Sequence, residues 1–236
     1  MSQPTAARAG AAGTSGTSRS ARIPSDRLRR PSGTVPRSPE SLLREQLGFL
    51  GTFLREPLQV GSVWPSSSRL AGMVVDQCSL ESRRMVVELG PGTGSFTRLI
   101  LERLHPQSQF MAMEINPTYV RQLRTTFPQL QLHADCAGKL PEYLRRHYRA
   151  KADCIISGLA WGNMLPATQA RLLDAVLASL APGGVFTTFA YAHARWFPTA
   201  MRFRRCLLHH FSQVEHTPIV WKNFPPAFVY SCRRDS

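Results

Sequence analysis

Val86-Val87-Glu88-Leu89 breaks into Gly90-Pro91-Gly92-Thr93-Gly94, and a helix-forming segment, Phe96 to Leu104, follows. A β-branched run that ends in an acid and then in three alternate glycines has few ways to fold. It makes a strand, a tight turn and a helix N-terminus. Such a turn presents bare backbone N–H groups where a Cβ would block a ligand.

Several readings compete for this turn. A dinucleotide fingerprint needs G-x-G-x-x-G, and the third glycine position here is Ser95. A phosphate-binding Walker loop is excluded, because no Gly-Lys-Ser/Thr follows. Glu88 lies two residues before the first glycine. A carboxylate there suits a cationic amino group better than a pyrophosphate. S-adenosylmethionine carries an ammonium and a sulfonium and no phosphate. The remaining reading is an ordinary glycine turn in an α/β protein.

The next segments repeat the pattern. Gln109 to Met113 reads as a second strand and ends at Glu114, at the spacing where α/β nucleotide folds put a carboxylate on ribose hydroxyls. Leu130 to Asp135 is a short third strand, and Asp135 could accept a hydrogen bond from an adenine amino group. Lys151 to Leu159 is a fourth, running into a loop with Trp161 and Asn163. Ligands in open parallel sheets bind at the carboxyl ends of the strands, where all these groups fall. Thr168 to Leu180 reads as a helix stopped by Pro182-Gly183-Gly184, and Val185 to Tyr191 as strand five. A helix over Met201–Phe211 follows. Val214–Val220 and Ala227–Cys232 look like a closing antiparallel pair. Strands alternating with helices indicate a doubly wound α/β sheet of about seven strands.

Glu88-Leu89-Gly90-Pro91-Gly92-Thr93-Gly94 resembles the first motif of class I S-adenosylmethionine-dependent methyltransferases. Three further stretches resemble a narrower group, the bacterial phospholipid (phosphatidylethanolamine) N-methyltransferases: Phe53 to Ser67, Ser157-Gly158-Leu159 with Trp161, and Val220 to Tyr230. The likeness covers about residues 45 to 232. It departs where Ala160 replaces a common proline, and where Ala192-His193 follows Tyr191 in place of Gly-Pro. The resemblance implies a Rossmann-like fold, S-adenosylmethionine as cofactor and no metal. It implies cofactor contacts from Glu88, Gly90, Gly92, Gly94, Glu114, Ile115, Asp135 and Ser157. It implies substrate contacts from Trp64, Ser66 and Asn223. Tyr191 and His193 could take the proton of the acceptor amine, and Trp161 and Trp64 could face a methylated ammonium by cation–π contact. Pro65-Ser66-Ser67-Ser68 is expected to cap a helix starting near Arg69.

Residues 1–40 hold no Leu, Phe, Trp or Tyr before Leu28, and Asp26 and Glu40 are their only acids. Such a segment cannot build a core and is expected to be a disordered basic tail. It also resembles a transit peptide, against which stands the lack of large apolar residues in its first 22 positions. The methyltransferase domain is expected over 41–236. It opens with an amphipathic helix over 41–58, where Leu43, Leu47, Leu50 and Leu54 form one stripe flanked by Phe49 and Phe53. That helix suits either a lid over the sheet or an interfacial anchor with Arg44 and Arg55 at headgroups. No apolar run reaches the roughly 18 residues of a membrane span, and no signal peptide is visible. Five scattered cysteines suggest neither zinc nor disulfides and fit a reducing cytoplasm. Net charge is +14, from 29 basic and 15 acidic residues, which favours an anionic partner. The expectation is a cytoplasmic, peripherally membrane-associated enzyme that methylates the headgroup amine of a phospholipid such as phosphatidylethanolamine. The alternatives are a methyltransferase of a small metabolite or of RNA adenine, and a lipid- or nucleic-acid-binding module without catalysis. Against adenine, the loop Ser157 to Trp161 lacks an Asn-x-Pro-Tyr type of sequence.

Overall fold

The protein is described from a computed structural model covering residues 65–223 and 225–235, with backbone only at 65–67. The expected tail over 1–40, the expected helix over 41–58, Trp64 and the Ser66 side chain lie outside the described residues.

The strands are β1 (Met85–Leu89), β2 (Gln109–Met113), β3 (Gln131–His133), β4 (Ala152–Ser157), β5 (Leu180–Tyr191), β6 (Gln213–His216) and β7 (Ala227–Arg233). The helices are α1 (Pro65–Asp76), α2 (Ser95–Arg103), α3 (Pro117–Thr126), α4 (Leu140–Tyr143), α5 (Pro166–Ser179) and α6 (Pro198–His210). A π turn, Leu144–Tyr148, continues α4. The strands form one sheet in the order β3-β2-β1-β4-β5-β7-β6. β3, β2, β1, β4 and β5 are parallel, whereas β7 runs antiparallel to both β5 and β6. This is the expected doubly wound, Rossmann-like seven-strand sheet.

All five residues of β1 are buried, as an inner parallel strand with both faces covered requires. Met85, Val87 and Leu89 join Met111, Ile155 and Phe186 under Leu173 and Val176 of α5 and Phe203 and Leu207 of α6. Val86 joins Phe110, Cys154 and Ile156 on the other face, under Val74 and Val75 of α1 and Phe96 and Ile100 of α2. One residue of that second face is charged: Glu88.

Several boundaries differ from the sequence expectation. Leu180 already pairs with Ala152, and Cys154 pairs next with Val185. The Pro182-Gly183-Gly184 stop is therefore a bulge inside β5, with Gly183 at φ 69°, instead of a separate loop. α1 starts at Pro65, so Ser66–Ser68 occupy its first turn and do not cap a helix at Arg69. α6 starts at Pro198, whose fixed φ suits a first helical position. β6 ends at His216, and Val220↔Ala227 remains as an isolated bridge. Pro218, between them, has no N–H to offer a ladder.

Candidate active site

The strand ends meet in one plane. Leu89 is level with Met113 on one side and Ser157 on the other. The chain leaving each end is pinned to its neighbour: Gly90 N–H donates to Met113 O (2.9 Å), Glu114 N–H to His133 O (3.1 Å) and Gly158 N–H to Leu89 O (2.8 Å). Strand order reverses between β1 and β4, which creates a crevice at that point.

Gly90, Gly92 and Gly94 all have positive φ. Two of them are close-packed: a Cβ on Gly90 would lie 2.5 Å from Leu159 Cδ2, and one on Gly94 2.5 Å from the Phe127 ring. Gly92 differs, because no described residue lies within 4 Å of the Cβ it lacks. Its backbone N–H donates to Glu114 Oε2 (3.1 Å). Open space over a left-handed glycine, beside a carboxylate, is a cradle for a polar ligand.

Glu114 is buried, and its Oε1 accepts from Asn116 N–H (2.8 Å). Burial raises its pKa, and the backbone donors of Asn116, Gly92 and Ile115 pull it back. Asn116 also caps α3 by accepting from Thr118 N–H (2.9 Å). Ile115 between them is half-buried. Glu88 is fully buried beneath the turn, and its Oε2 accepts from Thr97 Oγ1 (2.7 Å) in the first turn of α2. Its Oε1 has no partner among the described residues. Burial pushes its pKa up to about 8, with the nearby Glu114 charge adding to the rise and the Thr97 hydroxyl opposing it. Thr97 could be suspected in the sequence only as a polar residue on an otherwise apolar helix face.

Asp135 stands at the end of β3. It accepts from Cys136 N–H (2.7 Å), Lys139 Nζ (2.9 Å) and Tyr143 Oη (3.1 Å). These partners hold its carboxyl below the usual range against a desolvation that opposes them. Ser157 is fully buried, and its hydroxyl accepts from Leu159 N–H (3.3 Å) and Trp161 Nε1 (3.0 Å). It shapes the β4 loop from inside.

A cavity of about 440 Å³ opens beyond the ends of β4 and β5. Trp161, Phe189, Tyr191, Phe203, Phe228 and Tyr230 supply aromatic walls, with Arg195, Arg204 and His216 among the polar lining. Among the described residues no Asp or Glu lines it. Burial raises the Tyr230 phenol, and the Arg204 and Arg195 guanidiniums oppose that rise from nearby. Gln169, which no sequence motif marks, holds the wall together. Its Nε2 donates to Trp161 O (2.9 Å) and Thr199 O (3.2 Å), and the Thr199 hydroxyl donates to Gly162 O.

The expected substrate-side residues divide. Tyr191 lines the cavity. Trp161 does so too, but its ring is stacked on Phe203 (4.7 Å between centroids) and is 1% exposed, so it serves first as a wall. His193 is exposed, off the lining, and stacked behind Tyr191 at 5.7 Å. Asn223 is buried off the lining, where its backbone N–H donates to Val220 O (3.1 Å) in the β6–β7 loop. Among the described residues no cluster of His, Cys, Asp and Glu could hold a metal ion, and no helix is long and apolar enough to cross a membrane.

A family described as a methyltransferase domain matches residues 87–186. The ornithine lipid N-methyltransferase of Singulisphaera acidiphila is 31% identical over 191 residues, which span 78% of this chain and 94% of that protein. The trans-aconitate 2-methyltransferase of Methylobacterium radiotolerans is 31% identical over 119 residues, 50% of this chain and 42% of that protein. The crystal structure of the N-methyltransferase NodS from Bradyrhizobium japonicum, in complex with S-adenosylhomocysteine, has a TM-score of 0.62 at 13% identity. It covers 80% of this chain and 98% of its own.

Proposed function

Because this chain belongs to the class I S-adenosylmethionine-dependent methyltransferases and acts as an N-methyltransferase, we propose that its acceptor is the amine of a membrane lipid whose headgroup also carries an anion. The cofactor is S-adenosylmethionine, whose sulfonium supplies an electrophilic methyl. The buried, half-unpartnered Glu88 and the open backbone at Gly92 fit its amino acid end. Glu114, beside Gly92, suits the ribose hydroxyls. The neighbouring Ile115 suits the apolar edge of the base. Asp135 keeps part of its acceptor capacity for the adenine amino group, since three of its roughly four lone pairs are used. Gly90, Gly94 and Ser157 act by packing and bonding the turn and loop into place.

The observation that carries the acceptor reading is an aromatic-walled cavity that no Asp or Glu of the described residues lines. A carboxylate beside the amine would raise its pKa and favour the unreactive ammonium. Among the described residues the full charges on the wall are those of Arg195 and Arg204. They attract an anion beside the amine and disfavour the amine's own protonation. A phosphate, as in phosphatidylethanolamine, or a carboxylate, as in ornithine lipid, meets that requirement, and the similarity to an ornithine lipid N-methyltransferase supports a lipid amine as acceptor. Tyr191 orients the amine, and the exposed His193 stacked behind it passes the released proton to water. The charge of +14 also suits RNA.

The test is methyl transfer by the full chain from labelled S-adenosylmethionine. The acceptors are mixed micelles of phosphatidylethanolamine, of ornithine lipid and of a plain long-chain amine, with RNA and soluble metabolites in parallel. Label is expected in an anion-bearing lipid, with about 10-fold or more lost in Arg204→Gln, the size of a charged hydrogen bond. Labelled RNA or metabolite with unlabelled lipid would replace this reading.

A further inference from the structure

α6 carries apolar side chains on two sides. Phe203 and Leu207 enter the core, as an amphipathic helix requires. Phe197, just before the helix, together with Met201 and Leu208, is also apolar, yet 49%, 44% and 49% exposed. At 100° per residue these three fall within an arc of roughly 100° that also holds Arg204 and Arg205. The preceding turn adds Trp196, 68% exposed, with the Arg195 guanidinium 4.4 Å above its ring. Two positions after the lining residue Ile219 stands Trp221, 74% exposed, beside Lys222. The chain after β5 is tied to the chain before β7, since Ala192 N–H donates to Pro226 O (2.8 Å). Five of the six exposed large apolar side chains among the described residues therefore belong to this stripe, to the turn before it and to the β6–β7 loop.

The charge pattern states what covers them. From Ala175 to Val214 the chain has no Asp or Glu, and it has Arg195, Arg202, Arg204 and Arg205. We infer that the cavity mouth is a docking face for an anionic phospholipid bilayer. Trp196, Phe197, Met201, Leu208 and Trp221 enter the headgroup–acyl boundary, and the arginines meet lipid phosphates. A helix with a Trp/Phe/Leu face and a basic flank lies in such an interface. Two exposed tryptophans with amphipathic rings suit the headgroup level. Docking there sets the cavity opening on the lipid surface, so the acceptor headgroup enters without leaving the membrane plane. The inference rests on the lipid reading for its purpose, but its test reads binding and not turnover.

The test is sedimentation of the full chain with phosphatidylglycerol-containing vesicles and with phosphatidylcholine vesicles. The variants are Phe197→Ser/Leu208→Ser/Trp221→Ser, and Arg205→Gln; none of these residues lines the cavity. Wild type is expected to bind the anionic vesicles, and more weakly as salt rises. The triple variant should lose at least about tenfold in partitioning, and Arg205→Gln about fivefold. Both should keep wild-type melting temperatures and wild-type transfer to micellar lipid. Undiminished vesicle binding by the triple variant overturns the docking face, and leaves the lipid reading standing if micellar lipid is still methylated. Loss of RNA binding in these variants, with no vesicle binding by wild type, overturns it in favour of a nucleic-acid surface.

Discussion

At the scale of single residues, Glu88 is where burial and function conflict. Its carboxyl is fully buried with one hydroxyl partner, and its pKa is near 8 in the folded protein against an ordinary value of 4.5. The unfolded chain ionises Glu88 above about pH 4.5, whereas the folded protein keeps the proton until about pH 8. Folding thus takes up a proton between those values. Stability from this group is greatest below pH 4.5, falls as pH rises through that window, and is level above it. The span is worth several kcal/mol at about 1.4 kcal/mol per unit. Glu88→Gln mimics the protonated side chain, so its melting temperature should fall less than the wild type's between pH 5 and 8. An ammonium docking on Oε1 would restore the charge. Cofactor binding near pH 7 should therefore release more protons from wild type than from Glu88→Gln, as titration calorimetry in two buffers of different ionisation enthalpy would record. Equal proton counts would detach Glu88 from the ammonium.

At the scale of elements, the site depends on how closely the β1 turn and the β4 loop abut. A Cβ on Gly158 would lie 2.4 Å from Gly90 O, a backbone atom that cannot swing aside. Gly158→Ala should force the β4 loop off the β1 turn and cost about 1–3 kcal/mol, typical of overpacking. The Ser157 hydroxyl would then no longer bridge Leu159 N–H and Trp161 Nε1, so cofactor affinity and indole burial should both suffer. A denaturation midpoint within error of wild type would show that the two loops are less tightly apposed than this geometry requires. Elements were also legible to different degrees. β2 matches its expected span, Gln109 to Met113, because its boundaries rest on local residues. The start of β5 does not, because the Pro-Gly-Gly run reads as a stop until Leu180 is seen to pair with Ala152.

For the whole molecule, folding and cofactor binding are linked. Adenosylhomocysteine at about 100 times its dissociation constant should stabilise the folded state by about 2.7 kcal/mol, which raises the melting temperature by a few degrees in a chain of this size. Glu114→Ala removes the carboxylate beside Gly92 and frees the N–H groups of Gly92 and Asn116. Its affinity should fall at least about tenfold, at roughly 1.5–3 kcal/mol per charged hydrogen bond. At the same ligand concentration the thermal shift should shrink by about half, while the unliganded protein still melts cooperatively. An undiminished shift would remove Glu114 from the ribose site.

The strand–turn–helix at Val86–Arg103, the acids at the ends of β1, β2 and β3, and the alternation of strands and helices follow from the sequence alone. Each rests on near neighbours in the chain: β-branched runs, glycines at fixed offsets, a proline after an asparagine. Only the tertiary structure decided what those ends face. Thr97 reaches Glu88 across nine positions, Gln169 ties Trp161 to Thr199 across thirty-eight, and the cavity draws its walls from the loop after β4 and from β5, α6, β6 and β7. α6 shows the reason most directly. Its sequence is apolar on two sides, and periodicity alone does not say which side is covered. Packing put Phe203 and Leu207 inside and left Phe197, Met201 and Leu208 outside, because a helix lying on a sheet turns only one of its sides to it.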